Sequence, residues 1–159
     1  MQTRILLQEK PPFVNYSGPD LKEKLICQKH ENNYYFATLY SMEYRIPVYA
    51  AYNLPLGNCQ DEQPKRKGNW FIEPQWLDNG GGKSPNMDTT GSRREEFKRN
   101  QAINIDYRNT GFDRGHLNPN FYHCGETRTG TFTLINAVPQ NACFNELMWY
   151  ALETNPKRS

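Results

Sequence analysis

Two runs of apolar and β-branched side chains stand out near the start of the chain. Residues 34–40 read Tyr-Tyr-Phe-Ala-Thr-Leu-Tyr, and Ile46, Val48, Ala50 and Tyr52 then alternate with other residues. Aromatic and β-branched runs with a two-residue period predict adjacent strands, here with Ser41, Met42 and Glu43 in or near the turn. Residues 1–25 carry Pro11, Pro12 and Pro19 and are expected to form an extended lead-in, with one domain over residues 26–159. Residues 53–67 are polar, are punctuated by Pro55, Gly57 and Pro64, and read as a loop. Residues 69–75 suggest a short strand ended by Pro74, and residues 93–102 a helix. Between them, residues 78–92 hold Gly80, Gly81, Gly82 and Pro85, the segment expected to be most mobile.

Towards the C-terminus, residues 131–135 have the composition of a strand. Asn141 is a candidate helix N-cap. Phe144, Leu147, Met148, Ala151 and Leu152 then recur at helical spacing and form one apolar stripe. At about 100° per residue, Asn145, Trp149 and Glu153 fall together on a neighbouring flank. A tryptophan outside the stripe needs a cover, either another element or the wall of a site.

Composition narrows this picture. The chain has 159 residues, the length of one domain, with ten Tyr and a modest hydrophobic fraction. Its core is therefore expected to lean on aromatic rings. The net charge is only +2, which by itself does not demand nucleic acid. The basic residues are clustered, however, at Lys65, Arg66 and Lys67, at Arg93 and Arg94, and at Lys98 and Arg99. Cysteines stand at 27, 59, 124 and 143 with no Cys-x-x-Cys spacing, which argues against a redox motif or a zinc ribbon. Their even number fits two disulfides in an oxidising compartment, with the pairing of Cys27, Cys59, Cys124 and Cys143 left open. Asn15-Tyr16-Ser17 matches an N-glycosylation acceptor. The short apolar run Ile5-Leu6-Leu7 does not make a signal-peptide core, and no segment approaches membrane-spanning length.

The chemistry concentrates in residues 113–120, Asp-Arg-Gly-His-Leu-Asn-Pro-Asn, and in residues 136–145, Asn-Ala-Val-Pro-Gln-Asn-Ala-Cys-Phe-Asn. If residues 113–117 are extended, Arg114 and His116 project to one side. Gly115 between them leaves room for a backbone or a ligand. His116 is the best general base, because an imidazole of ordinary pKa accepts a proton at neutral pH. An isolated histidine is usually structural; the company of Arg114, Asn145 and Glu153 singles this one out. Asn145 offers a neutral oxygen of the kind Mg²⁺ accepts beside waters and a substrate phosphate. A base, cations and a hard-metal ligand are the parts that cut a phosphodiester.

The order Asp113-Arg114-Gly115-His116, then Asn136-x-x-Pro139-Gln140-x4-Asn145-x3-Trp149-x2-Leu152-Glu153, resembles the DNA/RNA non-specific endonuclease family, which includes endonuclease G and bacterial secreted nucleases. The segments 36–40 and 45–49, with Cys124 and Cys143, are closer to its vertebrate branch of endonuclease domain-containing 1-like proteins. The resemblance runs from about Cys27 to Glu153. It implies an α+β, His-Me finger (ββα-metal) nuclease fold with a mainly antiparallel sheet. It also implies Mg²⁺-dependent, or Mn²⁺-dependent, hydrolysis of DNA and RNA without sequence preference. By position, His116 matches the family's base and Asn145 its direct protein ligand to the metal. Arg114 matches an arginine on the phosphate, and Glu153 a carboxylate that holds metal-bound waters. Arg66, with Lys67 close by, is the candidate for a second arginine ahead of Trp70-Phe71-Ile72-Glu73-Pro74. Asn136 matches a site-lining asparagine. An extracellular location follows from the cysteines and the family.

The chain stops six residues past Glu153, where family members continue with further strands and helices, so a C-terminally truncated form is expected. The competing reading is a truncated nuclease fold that holds nucleic acid or a protein partner without cutting. A zinc site from His116, His123, Cys124 and Cys143 lacks a standard finger spacing. Gly80-Gly81-Gly82-Lys83 lacks the spacing and flanking elements of a phosphate loop. No Gly-x-Ser-x-Gly elbow supports an esterase.

Overall fold

The structure, a computed structural model, describes residues 22–54, 70–76, 86–89 and 94–154. The first three strands form an antiparallel meander of β1 (Glu23–His30), β2 (Asn33–Ser41) and β3 (Ile46–Tyr52). Both sequence-predicted strands are present, and the residues around Ser41–Glu43 do turn the chain. Residues 23–25, expected in the lead-in, already belong to β1. β1 and β2 are joined through Glu31 and Asn32, both at positive φ (45° and 67°), as a two-residue hairpin turn demands. Phe36, Thr38 and Tyr40 turn to the buried face of β2, the alternation of a half-buried strand.

Two further pairs complete the sheet structure. β4 (Phe71–Ile72) pairs antiparallel with β5 (Asp88–Thr89), and β6 (Phe112–His116) with β7 (Ala137–Asn141). The described residues thus make an α+β protein with antiparallel sheets and short helices. The helix expected over residues 93–102 is a single turn, α1 (Arg94–Phe97). The strand expected over residues 131–135 is not formed. Thr131 bonds through its hydroxyl to the Arg128 carbonyl (2.8 Å), and Leu134–Asn136 wind into a 3-10 turn. The paired strand lies just beyond, where Pro139 and flanking polar residues hide it from a propensity reading. Pro139 is tolerated because β7 pairs only with β6 in this two-stranded sheet.

Aromatic packing carries the core, as the composition suggested. Trp70, Ile72, Phe97, Ile103, Tyr107, Phe132 and Leu134 form its main cluster, while Ile26, Tyr40 and Ile135 tie the meander to it. The segment 70–76 is locked in place by Glu73. Its backbone N–H donates to Gln101 Oε1 (3.0 Å), and Gln101 Nε2 returns a bond to the Glu73 carbonyl (2.9 Å). Glu73 is fully buried; Thr133 Oγ1 donates to its Oε1 (2.9 Å) and Gln75 Nε2 to its Oε2 (3.3 Å).

Among the described residues no cation balances that carboxyl, and burial pushes its pKa up to about 8 against the lowering effect of the Thr133 and Gln75 bonds. The folded state therefore holds the proton more tightly than the unfolded chain. The associated stability is complete below about pH 4.5 and is lost as pH rises through about 8. Thermal unfolding between pH 6 and 9 should show a falling midpoint. Glu73→Gln, neutral at every pH, should flatten that slope; an unchanged slope would refute the assignment.

The C-terminal helix begins as a π-helix (Phe144–Trp149) and continues as α3 (Tyr150–Thr154). Asn141 Oδ1 accepts from the Phe144 N–H (3.3 Å), in keeping with the expected cap. An amphipathic helix normally turns its apolar stripe to the core. Here the orientation is reversed: Leu147, Met148 and Leu152 are 63%, 68% and 60% exposed, whereas Glu153 is buried. The physical reason lies in the contacts. The helix rests on β7 and on the turn Asn120–Tyr122 through its polar flank, with Tyr150 edge-on to Phe121 (5.3 Å).

Candidate active site

β6 and β7 bring the two chemistry-bearing segments side by side. Arg114 pairs with Pro139, Gly115 with Val138 and His116 with Ala137, and the helix that starts beyond β7 delivers Asn145 and Glu153 to the same place. A cleft of about 430 Å³ is lined by Trp70, Asp113, Arg114, His116, Asn120, Phe121, Asn145, Glu146, Tyr150 and Glu153. Four of the residues singled out in the sequence, His116, Arg114, Asn145 and Glu153, therefore converge.

Aromatic rings hold the two basic groups. The His116 ring sits 4.8 Å from the Trp70 ring and 4.5 Å, edge to face, from Phe132. Arg114 lies over Trp70 (5.5 Å) and Tyr107 (5.9 Å), and its Nη1 donates to Asn104 Oδ1 (3.1 Å). Its Nε is buried without a hydrogen-bond partner. A guanidinium stacked between rings keeps its orientation while leaving donors for an anion.

Asp113 was not singled out in the sequence, yet it sets the geometry of the cleft. Asn145 Nδ2 donates to Asp113 Oδ2 (3.1 Å). An ionised carboxylate only accepts, so the amide must present its NH₂ to Asp113 and its carbonyl oxygen elsewhere. The signal was its place beside Arg114 in the quoted motif. Trp70, Asn104 and Tyr107 left no comparable signal, because their roles arise from packing between distant segments.

Glu153 is the second acidic group of the cleft. Burial pushes its carboxyl up to about 6, against the lowering effect of a side-chain hydrogen bond with Trp149, and among the described residues its Oε1 is buried without a partner of its own. An unpartnered buried carboxylate oxygen is costly unless a cation or a water joins it.

The other expectations fare differently. Asn136 is not in the cleft wall. It is fully buried, its Oδ1 accepts from the Asn118 N–H (2.8 Å), and its Nδ2 donates to the carbonyls of Asn118 (3.0 Å) and Thr131 (2.9 Å). These bonds hold the 117–136 excursion together and give Asn136 a structural place behind the cleft rather than in its wall. The space left by Gly115 is filled by Gln140: a Cβ there would overlap the Gln140 side chain, so it admits neither a ligand nor a backbone.

His123 is buried, bonded through Nε2 to Asn118 Oδ1 (2.7 Å), and burial lowers its pKa to about 4. Among the described residues it does not cluster with His116, Cys124 and Cys143 as metal ligands. Cys27 and Cys143 carry free thiols, so two bridges among the four cysteines do not form. Cys27 is half-buried on β1 and Cys143 exposed at the start of the helix; Cys124 is not among the free thiols. Arg66, Lys67, Cys59, Asn15 and the 78–85 glycine segment lie outside the described residues.

The match to known families agrees with this geometry. The model of the DNA/RNA non-specific endonuclease family matches residues 22–157. The chain belongs to that family. Membership implies a ββα-metal nuclease fold, with which the antiparallel sheets and few helices accord. Among similar proteins, Endonuclease domain-containing 1 protein of Homo sapiens is 34% identical over 131 residues, which is 79% of this chain. The protein of the same name from Mus musculus is 30% identical over 123 residues, 76% of this chain. Each alignment covers 24% of the relative, so the chain spans about a quarter of the length of these curated proteins.

Proposed function

We propose that this non-specific endonuclease-family chain hydrolyses phosphodiester bonds of DNA and RNA with His116 as general base and Mg²⁺ held by Asn145. The observation that carries the reading is the convergence of His116, Arg114, Asn145 and Glu153 on one cleft, with Asp113 turning the Asn145 carbonyl away from itself.

The donor set fits a hard cation. Asn145 supplies a neutral oxygen, and Glu153 supplies a carboxylate whose buried Oε1 has no hydrogen-bond partner. Mg²⁺ takes oxygen ligands and keeps several waters, which Glu153 would hold. When bound, the ion supplies Lewis-acid polarisation of a phosphate oxygen and stabilises the departing 3′ oxygen. His116, packed against Trp70 and Phe132, takes the proton from the attacking water. Arg114 balances charge that grows on the phosphoryl oxygens. None of these groups reads a base edge, so sequence preference is weak, and affinity falls as salt rises.

Incubation with supercoiled plasmid tests this. Nicking should appear with Mg²⁺ and vanish with excess EDTA. Absence of nicking at every divalent-ion concentration would instead favour a non-catalytic nucleic-acid-binding module.

The pH profile is a second test. Glu153 must be ionised to hold metal-bound waters, and its carboxyl takes up a proton as pH falls through about 6. Nicking at fixed Mg²⁺ should fall steeply below about pH 6. Raising Mg²⁺ should recover part of the loss, since a cation competes with the proton at Glu153. A flat profile down to pH 5 would remove Glu153 from the site.

A further inference from the structure

The structure assigns a second divalent-metal site to His30, Glu31 and Glu126, one suited to Zn²⁺ and separate from the cleft. His30 ends β1, Glu31 stands in the β1–β2 turn, and Glu126 lies in the first turn of α2 (Gly125–Gly130). His30 Nε2 is 3.0 Å from Glu126 Oε2, and one ligand atom from each of the three residues lies within 4.8 Å of the other two. None of the three lines the cleft.

Charge and geometry both favour a cation there. Among the described residues neither carboxylate is paired with a lysine or arginine. The nearby Lys29 ammonium is turned onto the Tyr34 ring (5.2 Å) instead. Tyr35 senses both acids. Its pKa is raised first by burial, against a hydrogen bond with Asn33, and further by the charges of Glu126 and Glu31. His30 is half-buried and its ring is steadied against Phe71 (5.7 Å), so one ligand is already oriented. One imidazole nitrogen with two carboxylates is a donor set that zinc accepts, leaving its fourth position to water. Mg²⁺ and Ca²⁺ prefer all-oxygen sites and compete poorly for the imidazole.

The consequence is structural. α2 belongs to the excursion of residues 117–136 that connects β6 to β7, and the ion clips that excursion to the β1–β2 turn. Zinc bound there raises stability without taking part in hydrolysis.

Titration calorimetry with Zn²⁺, in the presence of excess Mg²⁺, tests the site on the whole chain. One Zn²⁺ per chain is expected. Glu126→Gln, a substitution at an exposed residue, and His30→Ala should each weaken binding by about tenfold or more. Zn²⁺ should raise the unfolding midpoint of the parent and not that of Glu126→Gln, while plasmid nicking with Mg²⁺ stays unchanged in Glu126→Gln. No Zn²⁺ uptake by the parent, or equal uptake by both variants, would overturn the assignment. Loss of uptake in Asn145→Ala instead would place the zinc in the cleft and overturn it equally.

Discussion

Replacing His116 with alanine should lower plasmid nicking by roughly 10²–10⁴-fold, the usual contribution of a positioned base. The substitution removes the group that accepts the proton from water, and no other described residue of the cleft titrates as an imidazole. It also removes a ring packed against Trp70 and Phe132, so some stability will be lost, about 1–3 kcal/mol for a part-buried side chain. His116→Gln keeps most of the volume and separates the two effects. Both variants should nick slower by that factor, and the glutamine variant should unfold close to the parent. Nicking at the parental rate by a folded His116 variant would end the proposed mechanism.

Asp113→Ala should act through the metal rather than through the base. The carboxylate fixes which end of the Asn145 amide meets Asp113 and which is left for the cation. Outer-sphere partners of this kind typically change metal affinity by about 10–100-fold. The Mg²⁺ concentration for half-maximal nicking should rise by that factor, while the rate at saturating Mg²⁺ is largely retained. Asp113→Asn should be intermediate, because an amide can still accept from Asn145 in one of its two orientations. A fall in saturated rate with no change in the Mg²⁺ requirement would show that Asp113 does not act on Asn145.

The sequence revealed those parts of the molecule in which local pattern decides structure. β2 announced itself because it alternates against one buried face, and β3 by its run of apolar and aromatic residues, although none of Ile46, Val48, Ala50 and Tyr52 is buried. Arg114 and His116 were legible as neighbours on an extended segment, and Asn145 and Glu153 as residues on one helical flank. Three features escaped. β7 is built from Ala-Val-Pro-Gln-Asn, a poor strand by composition, and forms because β6 supplies its partner. The helix faces inward with its polar flank, which periodicity alone reads the other way round. Its first turns are also π-wound: the Tyr150 N–H reaches back to the Asn145 carbonyl, which shifts the phase assumed at about 100° per residue. The seats of Arg114 and His116 depend on Trp70, Tyr107 and Phe132, which meet only when three distant segments pack.

The excursion between β6 and β7 also leads to an expected order of assembly. A hairpin closed by a short turn can zip locally, as β1 and β2 can through Glu31 and Asn32. β6 and β7 are separated by residues 117–136, which Asn136 draws together through its bonds to Asn118 and Thr131, so their pairing is expected to follow the condensation of that excursion. Contacts that span more chain form later. During refolding, the meander should therefore gain protection from hydrogen exchange before any catalytic power returns, and weakening the Asn136 clasp should lengthen that lag.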